Sequence, residues 1–178
     1  MTIYIAFLRG INVSGQKKIP MADLRKLLVK AGLKNVQTYI QSGNIVFQHS
    51  KENRFNLEEM IQNGIKEHFG FDVSVLVKTS VEIKSILDSC PFSQEKKEAS
   101  YFTLLHDIPN DDLVNSTSKE TYPNEEFIIT RDCVYFYSEV GYGNAKCNNN
   151  FFERKLKVTA TTRNYKTMLK LLSLSSEI

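Results

Sequence analysis

Cysteine and histidine are scarce in this 178-residue sequence, which narrows the chemistry that it can perform. The three cysteines, Cys90, Cys133 and Cys147, are far apart and form no CxxC pair. Their odd number and their spacing argue against a disulfide framework and a structural zinc site, and they fit a reducing cytosol. The three histidines lack the spacing of metal ligands. We therefore expect a cytoplasmic protein with no metal site and no cofactor.

Long apolar runs are missing as well. None approaches the ~20 residues that a helix needs to span a bilayer, so no membrane partner is expected. The apolar residues 1–8 are followed by no small-residue cleavage site, which indicates a strand rather than a signal peptide. A hydrophobic content of 42% and a charged content of 24% are ordinary for a globular protein. The net charge of +3 is mildly basic, well short of a dedicated nucleic-acid protein.

Familiar local signatures of catalysis are also absent. The sequence has no HExxH, no GxSxG and no P-loop, which requires GxxxxGK followed by Ser or Thr. Lys146 beside Cys147 could favour a thiolate, although a half-buried structural thiol is the commoner situation. Tyr39 could stack on a base, but the RNP1 pattern of RNA-binding domains is missing. The catalytic residues are therefore unknown, and enzyme activity is left open.

The order of strand and helix patterns in residues 1–78 predicts a ferredoxin-like α+β domain. A first strand, near residues 3–8, is apolar on both faces, which is typical of a central strand. A helix begins at Pro20 and ends at Gly32. A hairpin, a helix over Leu57–Phe69 and a strand over Val73–Val77 follow. The resulting order, βαββαβ, is the split βαβ pattern of ferredoxin-like folds.

The hairpin covers Thr38–Phe47 and is predicted to turn over Ser42 and Gly43. This register pairs Ile40 with Ile45 and Tyr39 with Val46. Because side chains alternate across a sheet, Ile40 and Ile45 share an apolar face with Val36 and Phe47. The opposite face carries Tyr39, Gln41 and Asn44.

Residues 79–178 predict a second α+β subdomain with an antiparallel hairpin and C-terminal helices. The pattern indicates a helix at 81–87, a charged loop at 94–98, a strand at 101–105 and a short exposed helix at 109–115. A second hairpin turns about Arg131 and Asp132. Helices at 151–156 and 164–172 complete the chain, and the last has Tyr165, Met168 and Leu169 on one face with Leu172.

Two glycine-containing loops are candidates for anion binding. Arg9–Lys18 carries three cations and no acid, so it could form an anion cradle, with a flexible basic loop as the alternative. Gly141–Lys146 lies between a predicted strand and a helix, where glycines often let the backbone approach a phosphate. An ordinary glycine turn is an equally good interpretation there.

The segment Thr159–Asn164 is predicted to open the last helix. Thr161 or Thr162 is a natural N-cap, because its hydroxyl can accept from an unpaired helix N–H. Arg163 is harder to explain, since a cation is slightly unfavourable near the positive end of a helix dipole. A nearby anion would account for it.

Several of these segments together resemble the bacterial domain-of-unknown-function family 1697. The likeness lies in Leu8–Val13, Pro20–Leu24, Thr38–Asn44, Gly141–Lys146 and Ala160–Asn164. The chain departs from the family pattern at four positions: Ser14, Ala145, Tyr165 and Lys166. The resemblance implies a cytoplasmic α+β protein with a ferredoxin-like N-terminal half, and it implies no established activity.

These observations favour a module that binds a phosphorylated small molecule or nucleotide in a cleft between the two halves. A nucleic-acid-binding protein and an enzyme acting on a phosphorylated substrate are the alternatives, followed by a purely structural or protein-interaction role. The oligomeric state stays open. The expected ligand-binding residues are polar or cationic groups at strand ends and glycines beside them: Arg9, Asn12, Lys17, Gln41, Ser42, Asn44, Gly143, Lys146, Thr162 and Arg163.

Overall fold

The first strand, β1 (Thr2–Leu8), lies in the middle of a sheet, as its two apolar faces predict. In this computed structural model, which describes residues 1–50 and 53–178, β1 pairs antiparallel with a strand on each side. The side chains from Tyr4 to Leu8 are all buried, with at most 3% of their surface exposed. A strand covered on both faces explains why both of its alternating sets are apolar.

Six further elements follow β1 in the first half of the chain. The sheet order is β2-β3-β1-β4 and every pairing is antiparallel, which confirms the ferredoxin-like first half. The elements are α1 (Met21–Lys30), β2 (Lys34–Tyr39), β3 (Asn44–His49), α2 (Arg54–Phe69), β4 (Val75–Thr79) and α3 (Ser80–Asp88).

Helices α1 and α2 cover one face of this first sheet. Their inward stripes include Leu24 and Leu28 of α1 and Leu57 and Ile61 of α2, all fully buried in one cluster with the sheet. The helices also end where local chemistry predicts. Gly70 takes the left-handed conformation, with φ of 82°, and its N–H caps α2 by donating to Lys66.

The second half of the chain repeats the topology of the first. Its sheet order, β6-β7-β5-β8, matches β2-β3-β1-β4 strand for strand, and α5 and α6 occupy the positions of α1 and α2 in the βαββαβ order. The α+β class is confirmed, whereas the sequence patterns missed this repeat. The elements are α4 (Gln94–Glu98), β5 (Tyr101–Leu105), α5 (Asp111–Thr117), β6 (Glu125–Ile129), β7 (Cys133–Ser138), α6 (Asn149–Leu156), β8 (Ala160–Asn164) and α7 (Tyr165–Ser175).

Aromatic rings dominate the core of the second half. Phe152 of α6 packs edge-on against Phe127 of β6, with ring centres 5.2 Å apart, and against Phe136 of β7 at 6.2 Å. Cys147 is fully buried in the same cluster. Edge-to-face contacts of this kind stabilise a core beyond the area that they bury.

The sequence-based expectations for residues 94–98 and for the apolar face of α7 are wrong. Residues 94–98 form the short helix α4 rather than a loop, because Ser93 caps it through the N–H of Lys96. In α7 the buried apolar positions are Met168 and Leu171, whereas Leu169 is 44% exposed. The expected apolar face was therefore misplaced on the helix.

The chain divides into two compact units. Unit 1 comprises Met1–Ser85 and Leu169–Ile178, and unit 2 comprises Ile86–Met168. The domain ranges 1–78 and 79–178 stay a prediction from the sequence. None of the helices in the described ranges is long and apolar enough to cross a membrane.

Candidate functional site

The β2–β3 connection in unit 1 is a four-residue turn, Ile40–Gly43. Tyr39 pairs with Asn44 and Thr38 pairs with Ile45, whereas the sequence predicted Ile40 opposite Ile45, so the predicted register is wrong by two residues. Because Ile40 lies in the turn and not in β2, it is not on the apolar face on which the sequence placed it and is 49% exposed. The carbonyl of Gly43 accepts from the N–H of Leu8 at 2.8 Å, which ties the turn to the end of β1.

The loop after β1 forms a small hairpin of its own. The N–H of Asn12 donates to Lys17 at 3.1 Å, and the N–H of Gln16 donates to Val13 at 2.9 Å. Both central residues of the turn have positive φ, 49° at Ser14 and 74° at Gly15. Positive φ at both central positions is the signature of a type I′ turn.

The side chain of Asn12 holds this small hairpin against the β2–β3 turn. Its Nδ2 donates to the carbonyl of Gln41 at 2.8 Å and to that of Ile19 at 3.1 Å. Its Oδ1 accepts from the N–H of Ile19 at 2.8 Å. Asn12 thus joins the two segments that we call the loop pair, residues 9–20 and 40–43. Both amide hydrogens of Asn12 are used within the protein.

The loop pair places the predicted cations at one end of the first sheet. The N–H of Arg9 donates to Ser74, just before β4. The Nζ of Lys17 donates to the carbonyl of Asp72 at 2.7 Å, while the carboxylate of Asp72 pairs with Lys66 at 3.0 Å. The cation of Lys17 therefore meets a carbonyl rather than the neighbouring carboxylate.

The polar residues of the β2–β3 turn differ in exposure. Gln41 is exposed and Ser42 is half-buried, so both reach the surface. Asn44 is fully buried, and its Nδ2 donates to the carbonyl of Tyr39 and to the hydroxyl of Ser42. In this arrangement Asn44 shapes the turn, while Gln41 is exposed and the hydroxyl of Ser42 accepts from Asn44.

A cavity of about 400 Å³ lies at the other end of β1, where Tyr4 and Thr79 contribute to its lining. Its polar groups bind one another. Thr79 and Glu82 form a capping box at the start of α3, and Glu82 also pairs with Arg54 at 3.2 Å. Helix capping and this ion pair therefore explain why polar groups line the cavity.

In unit 2, the predicted anion cradle at Gly141–Lys146 holds a carboxylate of the protein itself. The Oε1 of Glu125 accepts from the N–H of Lys146 at 2.7 Å, and the Oε2 accepts from the N–H of Cys147 at 2.8 Å. Burial alone would raise the pKa of Glu125, but these two N–H donors lower it below its usual range. Gly143 is exposed in the preceding 3₁₀ turn.

Cys147 does not have the environment of a nucleophile. Burial, followed by the neighbouring Glu125 carboxylate, raises the pKa of Cys147 to about 12. A thiol with so high a pKa is protonated at neutral pH. The suggestion from the sequence that Cys147 could be a reactive thiolate is therefore wrong. Cys147 is a buried thiol that contributes to the core, as the alternative interpretation held.

Thr162 and Arg163 lie in strand β8, which runs directly into α7. Thr162 is opposite Thr103, and the two hydroxyls are 2.8 Å apart. The cap of α7 is Asn164, whose Oδ1 accepts from the N–H of Thr167, so neither Thr161 nor Thr162 is the cap. The Nη1 of Arg163 donates to the carbonyl of Thr162. Arg163 directly precedes this cap, so the anion suggested beside it stays a prediction.

Comparison with known proteins gives a family for this chain and a solved structure that resembles it. A family model described as "Protein of unknown function (DUF1697)" matches residues 1–135. The chain belongs to the DUF1697 family. A solved structure, that of the conserved bacterial protein SP0830 from Streptococcus pneumoniae, is similar to it, with 25% identity, 98% of each chain covered and a TM-score of 0.77. No curated protein matches the chain.

The range matched by the DUF1697 model includes some of the predicted site residues and not others. Residues 1–135 include the whole loop pair, with Arg9, Asn12 and Lys17. They also include Glu125, but they stop before Gly143, Lys146, Thr162 and Arg163. Across residues 1–50 and 53–178, no group of three or more His, Cys, Asp or Glu side chains could hold a metal ion.

Sequence reasoning missed two residues that organise unit 2. The carboxylate of Glu125 accepts hydrogen bonds from the backbone N–H groups at the end of the glycine loop. The Oδ1 of Asn149 accepts a hydrogen bond from the hydroxyl of Thr162 at 2.8 Å, and the backbone N–H of Asn149 donates to the hydroxyl of Tyr142. Neither residue stands near its partners in the sequence, so no local pattern could have indicated these contacts.

Replacing Glu125 tests the intramolecular cradle. Glu125→Gln is expected to destabilise this DUF1697 protein by about 2 kcal/mol at pH 7, because two hydrogen bonds to a charged, partly exposed acceptor are weakened. The folded-state pKa of Glu125 is lowered, so its stabilisation is present above the ordinary carboxyl pKa and is lost as the pH falls through the folded-state pKa. Urea unfolding from pH 7 down to pH 3 should show the difference between parent and variant shrinking.

Glu126→Gln is the matched control. The neighbouring Glu126 is half-exposed and pairs with Lys96 at the surface, where an ion pair contributes at most about 1 kcal/mol. Equal losses of stability in the two variants would contradict the role given to Glu125.

Proposed function

We propose that the protein binds a phosphorylated small molecule or nucleotide at the loop pair of unit 1. The observation that carries the proposal is a cationic, acid-free loop fixed against a turn that presents polar groups. Residues 9–22 contain Arg9, Lys17 and Lys18 and no Asp or Glu. The Asn12 hydrogen bond joins this loop to the turn that carries the exposed Gln41 and the half-buried Ser42.

The chemistry of these groups suits a phosphate ester. Lysine binds phosphate as a point charge, and arginine can bind two oxygens at once. The amide of Gln41 can both donate and accept, so it suits the hydrogen-bonding edge of a sugar or a base. Because Asn12 fixes the backbone of both loops, less ordering free energy opposes binding than in a free loop.

The proposal rests on unit 1 by itself. Participation of Gly143, Lys146, Thr162 and Arg163 stays a prediction. We propose a cytoplasmic location as well, since Cys90, Cys133 and Cys147 are all free thiols, which fits a reducing compartment.

The experiment compares ligands and two double variants in a thermal-shift assay followed by calorimetry. The ligands are AMP, ribose 5-phosphate, polyphosphate and a short single-stranded oligonucleotide. A ligand at about 100 times its Kd adds roughly 2.7 kcal/mol of stability, a shift of several degrees for a chain of this size. The variant Lys17→Ala/Lys18→Ala is expected to weaken binding at least about tenfold, because two phosphate-binding charges are lost.

The control is Lys26→Ala/Lys30→Ala, which removes the same charge from exposed positions of α1. It should bind as the parent does. Equal weakening by both double variants would mean that net charge alone attracts the ligand. Binding of the oligonucleotide only, fading as salt is raised, would replace the proposal by nucleic-acid binding.

A further inference from the structure

Ile40, the first residue of the β2–β3 turn, has an unfavourable conformation and an unfavourable exposure. Its φ of 50° lies in the left-handed region, where a β-branched residue is a genuine outlier. Its side chain is also 49% exposed, so packing against the core does not compensate. Asparagine or glycine would adopt the same backbone at less cost. Strain of this kind concentrates at functional sites.

The loop pair carries a second exposed aliphatic side chain, Val13. Val13 is 58% exposed at the first position of the type I′ turn. It follows Asn12, and Ile40 precedes Gln41; these two neighbours are joined by the 2.8 Å hydrogen bond from Asn12 to the Gln41 carbonyl. Single exposed apolar residues need no explanation. Two that adjoin residues joined by a fixed hydrogen bond, one of them strained, do need one.

The charges around this apolar pair identify its ligand chemistry. Lys17 and Lys18 belong to the same small loop as Val13, and Gln41 follows Ile40. The complementary molecule has a phosphate, an apolar face and hydrogen-bonding edges. A nucleoside phosphate has all three features, since the faces of a base pack against aliphatic side chains while its edges meet amides. Inorganic phosphate and sugar phosphates lack the apolar face.

We infer that Ile40 and Val13 form the base-binding side of a nucleotide site whose phosphate is bound by Lys17 and Lys18. This inference rests on the proposed function and specifies the substrate class at the same loop pair. Ile40 is then a binding residue whose strained backbone aims its side chain at the base. Gln41 and Ser42 lie at the edge of the base, and Asn12 positions both loops.

Calorimetry with three probes and one variant tests the inference. The probes are AMP, ribose 5-phosphate and inorganic phosphate. AMP is expected to bind the parent about tenfold more tightly than ribose 5-phosphate, because only AMP covers the two aliphatic side chains. Ile40→Asn should remove this tenfold difference and leave the affinity for ribose 5-phosphate within about twofold. The same variant should raise Tm by about 2–4 °C, since asparagine tolerates the left-handed region.

Ile108→Asn is the matched control, because it makes the same replacement at an isoleucine that is 62% exposed in unit 2. It should leave the affinity for AMP unchanged. If Ile40→Asn does not fold, Val13→Ser serves as the second test and should also weaken AMP selectively. Equal affinities of the parent for AMP and ribose 5-phosphate would overturn the inference and leave the proposed function standing. No binding of any of the three probes would overturn both.

Discussion

Gly43→Ala is expected to lower the free energy of unfolding by about 3 kcal/mol and Tm by roughly 6–12 °C. A Cβ on residue 43 would lie 2.6 Å from the Cβ of Leu8 and 2.9 Å from the Cδ1 of Ile11. The isoleucine end can rotate away, whereas the Cβ of Leu8 is fixed by the backbone of β1. The φ of 80° adds the strain that any L-residue with a Cβ meets in the left-handed region. Urea unfolding and thermal unfolding followed by circular dichroism would measure both quantities.

Gly143→Ala is the control for this substitution. A Cβ there meets nothing within 4 Å, and the residue is not in the left-handed region. Its stability should change by no more than about 0.5 kcal/mol. Similar losses in the two variants would mean that close approach to β1 does not explain Gly43. If the loop pair binds a ligand, Gly43→Ala should also weaken that binding, because it displaces the turn that carries Gln41 and Ser42.

The β2–β3 hairpin shows how far local sequence reaches. The Ser42-Gly43 pair correctly predicts a tight connection between two strands, because glycine readily adopts positive φ. It misplaces the turn by one residue, since Gly43 serves the close approach of Leu8 rather than the turn centre. That contact joins residues far apart in the chain, so it cannot be predicted from the spacing of residues within the hairpin.

The second unit was harder to predict because its decisive contacts are also distant. Thr161 and Thr162 are β-branched and polar, which suits a strand as well as a helix cap. These residues form a strand because β8 pairs with β5. The repeated sheet order emerges only when all four pairings are known, whereas the individual elements, such as Tyr101–Leu105, were predicted with correct bounds.

For the candidate site, sequence identified the segments better than the roles. The first loop, with its cations and glycines, was singled out from the sequence as a candidate, and the turn at residues 40–43 joins it in space. The glycine loop of unit 2 was also recognised as an arrangement of backbone donors, but the acid that occupies them, Glu125, comes from a distant strand. Ile40 was assigned to the core because alternation was counted through a turn.

Asn12→Ala is expected to lower the free energy of unfolding by about 3 kcal/mol, through the loss of three hydrogen bonds made by one side chain. Ile19 is only 1% exposed, so its N–H and carbonyl would be left in a nearly dry environment without the partner that satisfies them. The φ of 54° at Asn12 would also strain an alanine. Urea unfolding gives the loss of stability, and calorimetry with AMP gives the loss of binding.

Asn35→Ala separates the hydrogen bonds from the backbone strain. Asn35 has nearly the same φ, 51°, but its side chain makes one exposed bond, to Gln48 at 2.7 Å. Its replacement should cost about 1 kcal/mol and leave ligand binding unchanged. An Asn12→Ala variant no less stable than Asn35→Ala would show that Asn12 does not hold the two loops together. If instead Asn12→Ala loses both stability and AMP binding while Asn35→Ala keeps the binding, the amide of Asn12 is the contact that makes one site of two loops.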